Sequence, residues 1–301
     1  MSSLYQHPLA YLIGLEGVAL LKAFAGEYGR EFTLDRLAEV RRLLDAPETL
    51  GAGVEVPPMR NPDGYDGWSG SYDDPDNDYF AMDEAVLVPM LDRLPPGVAV
   101  DAACGTGRYA ARLADHGHEV FGFDTSPGML TVARTKVPEG HFGEADMSAR
   151  PLADSSADLI VNTLAMTHVE DLAPVFTEAA RILRPRGHLL VSDVRGYFPG
   201  SDRTPLVERD LAGRVGYIPS WSHPTSSYLR AALPAGFQVR DCRELQAPAA
   251  SDHDDDATAP VLPTPGEPPS IWDLHTWVPE AARAVQGRRT CLVVWHFQLE
   301  R

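Results

Sequence analysis

The sequence predicts an α/β fold, a doubly wound and mostly parallel sheet with helices on both faces. Two observations carry this. Residues 98–102 are a short apolar run that reads as a buried parallel strand, and they lead into a turn with two glycines and then a helix-like segment. The alternation of strand, turn and helix then continues through residues 119–123, residues 158–162 and the run that ends at Asp193.

With 301 residues the chain is long enough for one large α/β domain with appendages. Acidic residues outnumber basic ones 43 to 26, a formal charge of −17. That balance argues against a nucleic-acid backbone as partner, which needs a basic face, and against an anionic membrane surface. Cys104, Cys242 and Cys291 lack the paired spacing of a zinc site or a disulfide framework. A reduced, cytoplasmic setting without a metal is therefore expected.

Residues 8–26 are apolar, yet they carry Glu16 and Lys22 and lack a basic leader, so neither a signal peptide nor a membrane span is expected. Leu9, Leu12, Ile13, Leu20 and Phe24 fall near one helical face. A second helix is expected from an N-cap at Thr33, with Leu34, Leu37 and Leu44 inward, ending before Pro47. Two short amphipathic helices cannot bury both faces alone. They are expected to pack on the main domain or on a second copy of the chain, which makes a homodimer a candidate. Residues 51–62 read as a linker. The segment 65–74, dense in Tyr and Trp, reads as a polar loop, either plugged onto the core or closing over a ligand as a flap.

A helix over 83–94 leads into the first strand. The glycines after that strand let backbone approach a ligand, and the following helix offers free N–H groups to an anion. The second strand ends at Asp124, about 20 residues past the turn, where an acid can accept hydrogen bonds from ribose hydroxyls. Ser126 then caps a helix with Pro127 at its first position. Asp146 is a third acidic point. The fourth strand ends at Asn162, which places Thr163, Leu164, Thr167 and His168 at the mouth of the sheet. A helix from Asp171 to Leu183 leads to the fifth strand. Aromatic, Pro-rich loops, a helix over 226–233 and a sixth strand over 237–240 follow. The acidic run 252–256 reads as a solvated linker rather than a metal site. A helix over 278–285 and a seventh strand over 290–297 complete the chain.

Gly105-x-Gly107-x-x-Ala110 fits the dinucleotide fingerprint, but Asp101 precedes the first glycine by four residues, whereas dinucleotide glycines follow their strand directly. Taken together, residues 65–193 resemble the class I S-adenosylmethionine-dependent methyltransferases, in particular their small-molecule branch. The resemblance implies a Rossmann-like seven-stranded sheet whose last two strands form an antiparallel edge. It implies an N-terminal helical extension over 1–60 and a cofactor-binding methyltransferase domain over 61–301. Within that domain an acceptor-pocket insertion spans about 195–233 and an acidic, Pro-rich loop about 247–270. S-adenosylmethionine is the implied cofactor, met by Tyr65, Tyr72, Asp101, Ala103, Gly105, Gly107, Asp124, Thr125, Met129, Asp146, Met147 and Thr163. The implied acceptor contacts are Tyr197, Tyr217, Trp221 and His223, with His223 favoured over His168 as a base. Ala103 departs from the family pattern, where a first glycine is common; its methyl group is tolerated if the backbone stays in the β region. The expected activity is methyl transfer to a small molecule, with bacterial secondary metabolism as the setting. An NAD(P)-dependent oxidoreductase is the alternative, though no convincing Tyr-x-x-x-Lys pair is present. An enzyme of this fold that transfers no methyl group is another.

Overall fold

The computed structural model describes residues 2–45, 47–74, 78–196, 198, 200–246, 259–287 and 289–300. Tyr197 and the acidic run 252–256 lie outside the described residues. The chain forms two compact units, residues 1–58 with 246–289, and residues 59–245 with 290–301.

In the first unit, β1 (Leu4–Gln6) pairs antiparallel with β2 (Val54–Val56), so the expected linker carries a strand. Between them lie α1 (Pro8–Phe24), α2 (Arg30–Asp45) and α3 (Pro47–Leu50). Leu12, Leu15 and Ala19 of α1 and Leu43 of α2 form a core with Leu274, Trp277, Ala281 and Val285 from the helical segment far along the chain. The helix Pro279–Gln286, expected in the main domain, therefore belongs with the N-terminal helices. Thr33 does not cap α2; it lies inside, and its hydroxyl donates to the Gly29 carbonyl at 3.0 Å. Leu34, Leu37 and Leu44 are exposed, as is Phe24. The inward face is set instead by Arg36, whose Nη1 donates to the fully buried Glu16 Oε1 at 3.2 Å. Once that ion pair is buried, rotating α2 to hide the leucines would strand a charge.

The second unit begins with α4 (Asn61–Trp68) and α5 (Asp78–Leu91). The alternating region is β3 (Val98–Ala102), α6 (Arg108–Asp115), β4 (Glu119–Asp124), α7 (Pro127–Lys136), β5 (His141–Glu144), β6 (Ala157–Thr163), α8 (Ala173–Ile182) and β7 (Leu183–Val194). A hairpin of β8 (Leu206–Arg209) and β9 (Val215–Ile218) follows, then α9 (Thr225–Ala232), β10 (Phe237–Gln246) and β11 (Thr290–Leu299). The seven-stranded sheet has the order β10-β11-β7-β6-β3-β4-β5. Strands β7, β6, β3, β4 and β5 are parallel, and β11 runs antiparallel to β7. This is the doubly wound sheet that the alternating pattern predicts, and the seven-stranded Rossmann-like form that the resemblance implies. Val100, Ile160 and Val191 pack with Phe176, Tyr228 and Phe297 in its core. Strand order reverses at β3, with β4 on one side and β6 on the other, so the carboxyl ends of β3, β4 and β6 open onto one crevice.

The aromatic segment expected as a loop starts with a helix. Pro62 opens α4, which packs against the β8–β9 hairpin. The approach is close: a Cβ on Gly67 would fall 2.0 Å from the Arg209 carbonyl oxygen. Only glycine fits there.

Candidate functional site

The turn after β3 is wound left-handed at alternate residues, with φ of 65° at Ala103, 53° at Gly105 and 81° at Gly107. Ala103 is thus not in the β region, contrary to expectation. Its methyl group is carried at a strain of about 1–2 kcal/mol. The two glycines serve different ends. A Cβ on Gly107 would lie 3.1 Å from the Ala133 Cα, so this glycine lets α6 and α7 meet. A Cβ on Gly105 would find only the Tyr72 ring, at 3.9 Å. Its bare face leaves the room a ligand needs to reach backbone.

Two carboxylates flank this turn. Asp124, at the end of β4, accepts from the Gly105 N–H at 2.8 Å and from the Ser126 N–H at 2.9 Å. It holds the turn and the α7 N-terminus together, and burial raises its carboxyl above the usual range. Asp101, in β3, is 1% exposed, and neither of its oxygens has a hydrogen-bond partner. Burial pushes its carboxyl up to about 7. The Ala110 amide in the first turn of α6 pulls the other way without reaching hydrogen-bond geometry. A buried polar group without a partner is costly and marks a place where a ligand donor fits.

Segment 61–74 lies over the turn. Asp66 Oδ1 accepts from Ser126 Oγ at 2.5 Å and from the Gly128 N–H at 2.8 Å. Asp73 accepts from Thr106 Oγ1 at 2.7 Å and from Lys136 Nζ at 2.8 Å. Tyr65, Trp68, Tyr72 and Phe80 form a run of ring contacts, with Trp68 and Tyr72 4.8 Å apart edge to face. Below them the fully buried Asp83 receives two hydrogen bonds from the Arg108 guanidinium, at 2.8 and 2.9 Å, and further ones from Tyr109 and Ser192. None of Asp66, Asp73 or Asp83 was singled out by sequence reasoning. The signal available for the first was the Asn61-Pro62 helix start, which puts Asp66 on a helix rather than in a loop.

The two histidines differ sharply. His168 Nε2 meets the Tyr65 hydroxyl at 2.7 Å, while Nδ1 faces the Pro219 carbonyl at 3.4 Å and Ser220 Oγ at 3.2 Å. A carbonyl only accepts, so Nδ1 carries the proton and Nε2 accepts from the phenol. Burial lowers this imidazole to about 4 and lifts Tyr65 well above the usual phenol range. His223 is 5% exposed, and its Nε2 sits 2.8 Å from the Val169 carbonyl and 3.2 Å from that of Met166. Nε2–H is committed to those carbonyls, which pins the chain after β6. The expectation that His223 faces an acceptor as the base gives way to this packing role.

Among the other expected residues, Thr163 ends β6 and is half-buried, and Thr125 stands half-buried between Asp124 and Ser126. Met129 is 1% exposed in the core, while Met147 is half-buried, its sulfur 3.9 Å from Asn162 Nδ2. Asp146 is exposed and accepts from the Ser148 N–H and hydroxyl. Tyr217 is buried in β9, and the Trp221 N–H donates to the Thr167 carbonyl at 2.7 Å. Among the described residues no cluster of potential metal ligands occurs, and no helix is long and apolar enough to cross a membrane.

Residues 100–191 match the family model of a methyltransferase domain. A probable S-adenosylmethionine-dependent methyltransferase of Mycolicibacterium smegmatis is 32% identical over 133 residues, 44% of this chain and 51% of that protein. A malonyl-[acyl-carrier protein] O-methyltransferase of Serratia marcescens is 34% identical over 106 residues, 35% of this chain and 42% of that protein. The chain thus spans about half the length of the curated relatives it matches. In fold it is similar to an S-adenosylmethionine-dependent methyltransferase of Mesorhizobium loti, with a TM-score of 0.50 and 21% identity over 73% of this chain and 99% of that one. Matched domain and sheet order agree with the glycine turn and its acids: residues 100–191 match a methyltransferase domain, and the sheet that holds them is similar in fold to S-adenosylmethionine-dependent methyltransferases.

Proposed function

We propose that this protein transfers a methyl group from S-adenosylmethionine to a small-molecule acceptor. The observation that carries the reading is Asp101, a buried carboxyl without a partner beside a glycine turn that leaves room for a ligand. An adenosyl amino acid bearing cationic groups fits that donor set, with Asp124 set to receive the ribose hydroxyls. The sulfonium methyl is already activated, so the chain's own task is to orient two reactants, an effect worth roughly 7–11 kcal/mol. Segment 61–74 is tied to the turn through Asp73 and Thr106, and the Tyr72 ring faces Gly105.

The proton-handling group moves from His223 to the Tyr65–His168 pair. An imidazole held near 4 is neutral and can accept, but only weakly. That favours an acceptor needing little help from a base, such as a carboxylate, an enolate or an amine, over an alcohol. The Serratia relative, named for malonyl-[acyl-carrier protein], supports the first of these. A reduced cytoplasm remains the proposed compartment, and among the described residues Cys104, Cys242 and Cys291 form no disulfide.

Incubation with methyl-labelled S-adenosylmethionine and a panel of carboxylic, phenolic and amine acceptors tests the reading, with NADH binding as the control. Label transfer to a small molecule is expected. Binding of NADH in place of S-adenosylmethionine would overturn the assignment. With the acceptor in hand, Tyr65→Phe and His168→Gln should each cost less than about tenfold in kcat; a loss of 10²–10⁴-fold would instead make the pair a true base.

A further inference from the structure

We propose that Asp101 couples cofactor binding to proton release: the ligand-free site holds a neutral carboxyl, and a cationic ligand arriving at the glycine turn displaces its proton and leaves a carboxylate paired with the ligand. This rests on the cofactor assignment above and goes beyond it. The geometry begins with isolation. Asp101 is 1% exposed, and both oxygens are shut from water without a partner. An ion in such a place is far costlier than a neutral acid.

The groups facing it from neighbouring elements do not relieve that cost. From α6, Arg108 is the one cation that acts on it, but its guanidinium is already engaged by Asp83 at 2.8 and 2.9 Å and by Glu84 at 3.1 Å. From β4, Asp124 brings a second negative charge. From the turn itself, Cys104 contributes a thiol that burial, and then Asp101, push well up, so it stays neutral. From β6, Asn162 spends its amide donor on the Ala102 carbonyl at 2.8 Å. A ligand cation supplies what the protein withholds. The balance is simple: the carboxyl O–H breaks, the proton leaves to buffer, and the carboxylate pairs with the ammonium or sulfonium of the ligand.

Linkage then makes affinity rise with pH up to the carboxyl's own titration, near 7, and level above it. The probe is S-adenosylhomocysteine, which keeps the ammonium, with S-adenosylmethionine in parallel. Calorimetry at pH 6 in buffers of different ionisation enthalpy should show release of close to one proton per ligand, falling towards none at pH 8.5. Affinity should fall roughly tenfold per pH unit below 7. Asp101→Asn should bind without proton release and with a flat pH profile. As a readout independent of that variant, the infrared difference spectrum of the wild type should show loss of a protonated-carboxyl band on ligand addition. Binding with no proton release, or release that persists in Asp101→Asn, would overturn the coupling while leaving the cofactor assignment intact. Failure of both ligands to bind at any pH would overturn the assignment itself, and the coupling with it.

Discussion

At the scale of single residues, the acids beside the turn separate into a brace and a reserve. Asp124 is a brace, since both its oxygens already hold backbone. Asp124→Ala should therefore both loosen the turn and remove the proposed ribose acceptor. Affinity for S-adenosylhomocysteine should drop by about 1.5–3 kcal/mol, measured by calorimetry. Asp101 is a reserve, and its sign in folding is adverse. Its carboxyl titrates near 7 in the fold against 3.8 ordinarily, so its contribution to stability is full below about 4 and is lost as pH rises through 7. In the ligand-free protein, Asp101→Asn should gain on the wild type between pH 5 and 7, at up to roughly 1.4 kcal/mol per pH unit, and no further above. Urea unfolding at each pH checks it; a gap that does not widen would place the carboxylate in water. Ala103→Gly should stabilise by about 1 kcal/mol, because the left-handed φ no longer strains a methyl group. Asp101, Gly105 and Asp124 were legible because their spacing is fixed by strand and turn length. The left-handed φ of Ala103 was not, since only the closing of the turn against Phe123 and Ala133 sets it.

At the scale of elements, α4 is where sequence and structure part most. Its glycines and aspartates read as loop chemistry, yet Gly67 is there because a helix crosses backbone at close range. Gly67→Ala should push α4 off the β8–β9 hairpin and raise hydrogen exchange across residues 61–74. Exchange unchanged from wild type would mean that α4 does not depend on this contact. Ser126 shows the opposite case. Its capping role was legible from Ser126-Pro127, and its side chain does accept from the Met129 N–H at 3.1 Å. The bond it donates to Asp66 was not legible, being a contact across 60 residues of sequence. Local signals disclose caps and turns; the side chains that tie one element to another answer to tertiary packing. The two histidines make the same point: His168 was placed at the mouth and His223 among the acceptor contacts, and only the groups around each ring distinguish their surroundings.

At the scale of the molecule, the parallel part of the sheet follows from the alternation of strands and helices and its antiparallel edge from the family resemblance, whereas the composition of the first unit follows from neither. Its core joins segments separated by almost the whole chain, and hydrophobic periodicity within α2 pointed to the wrong face because a buried ion pair, Glu16 with Arg36, overrode it. Burial lifts the Glu16 carboxyl to about 7, against the opposing pull of Arg36. Arg36→Leu would leave that acid alone, at a cost of about 3–5 kcal/mol. Hydrogen exchange should then rise together in Pro8–Phe24 and Pro279–Gln286, which share the core. A rise in α2 alone would show the pair to be local.

The place of β11 in the sheet has a consequence for how the protein is made. This strand sits between β10 and β7, yet it is the last of the seven to be translated, after the segment that completes the first unit. Until Thr290–Leu299 leaves the ribosome, β7 presents an open hydrogen-bonding edge and β10 has no neighbour to pair with. Emergence of Trp295 and Phe297 also supplies the rings that Phe176 and Tyr228 pack against. Before that, the nascent chain carries an apolar face and a free strand edge, the two features that expose an incomplete sheet to mispairing.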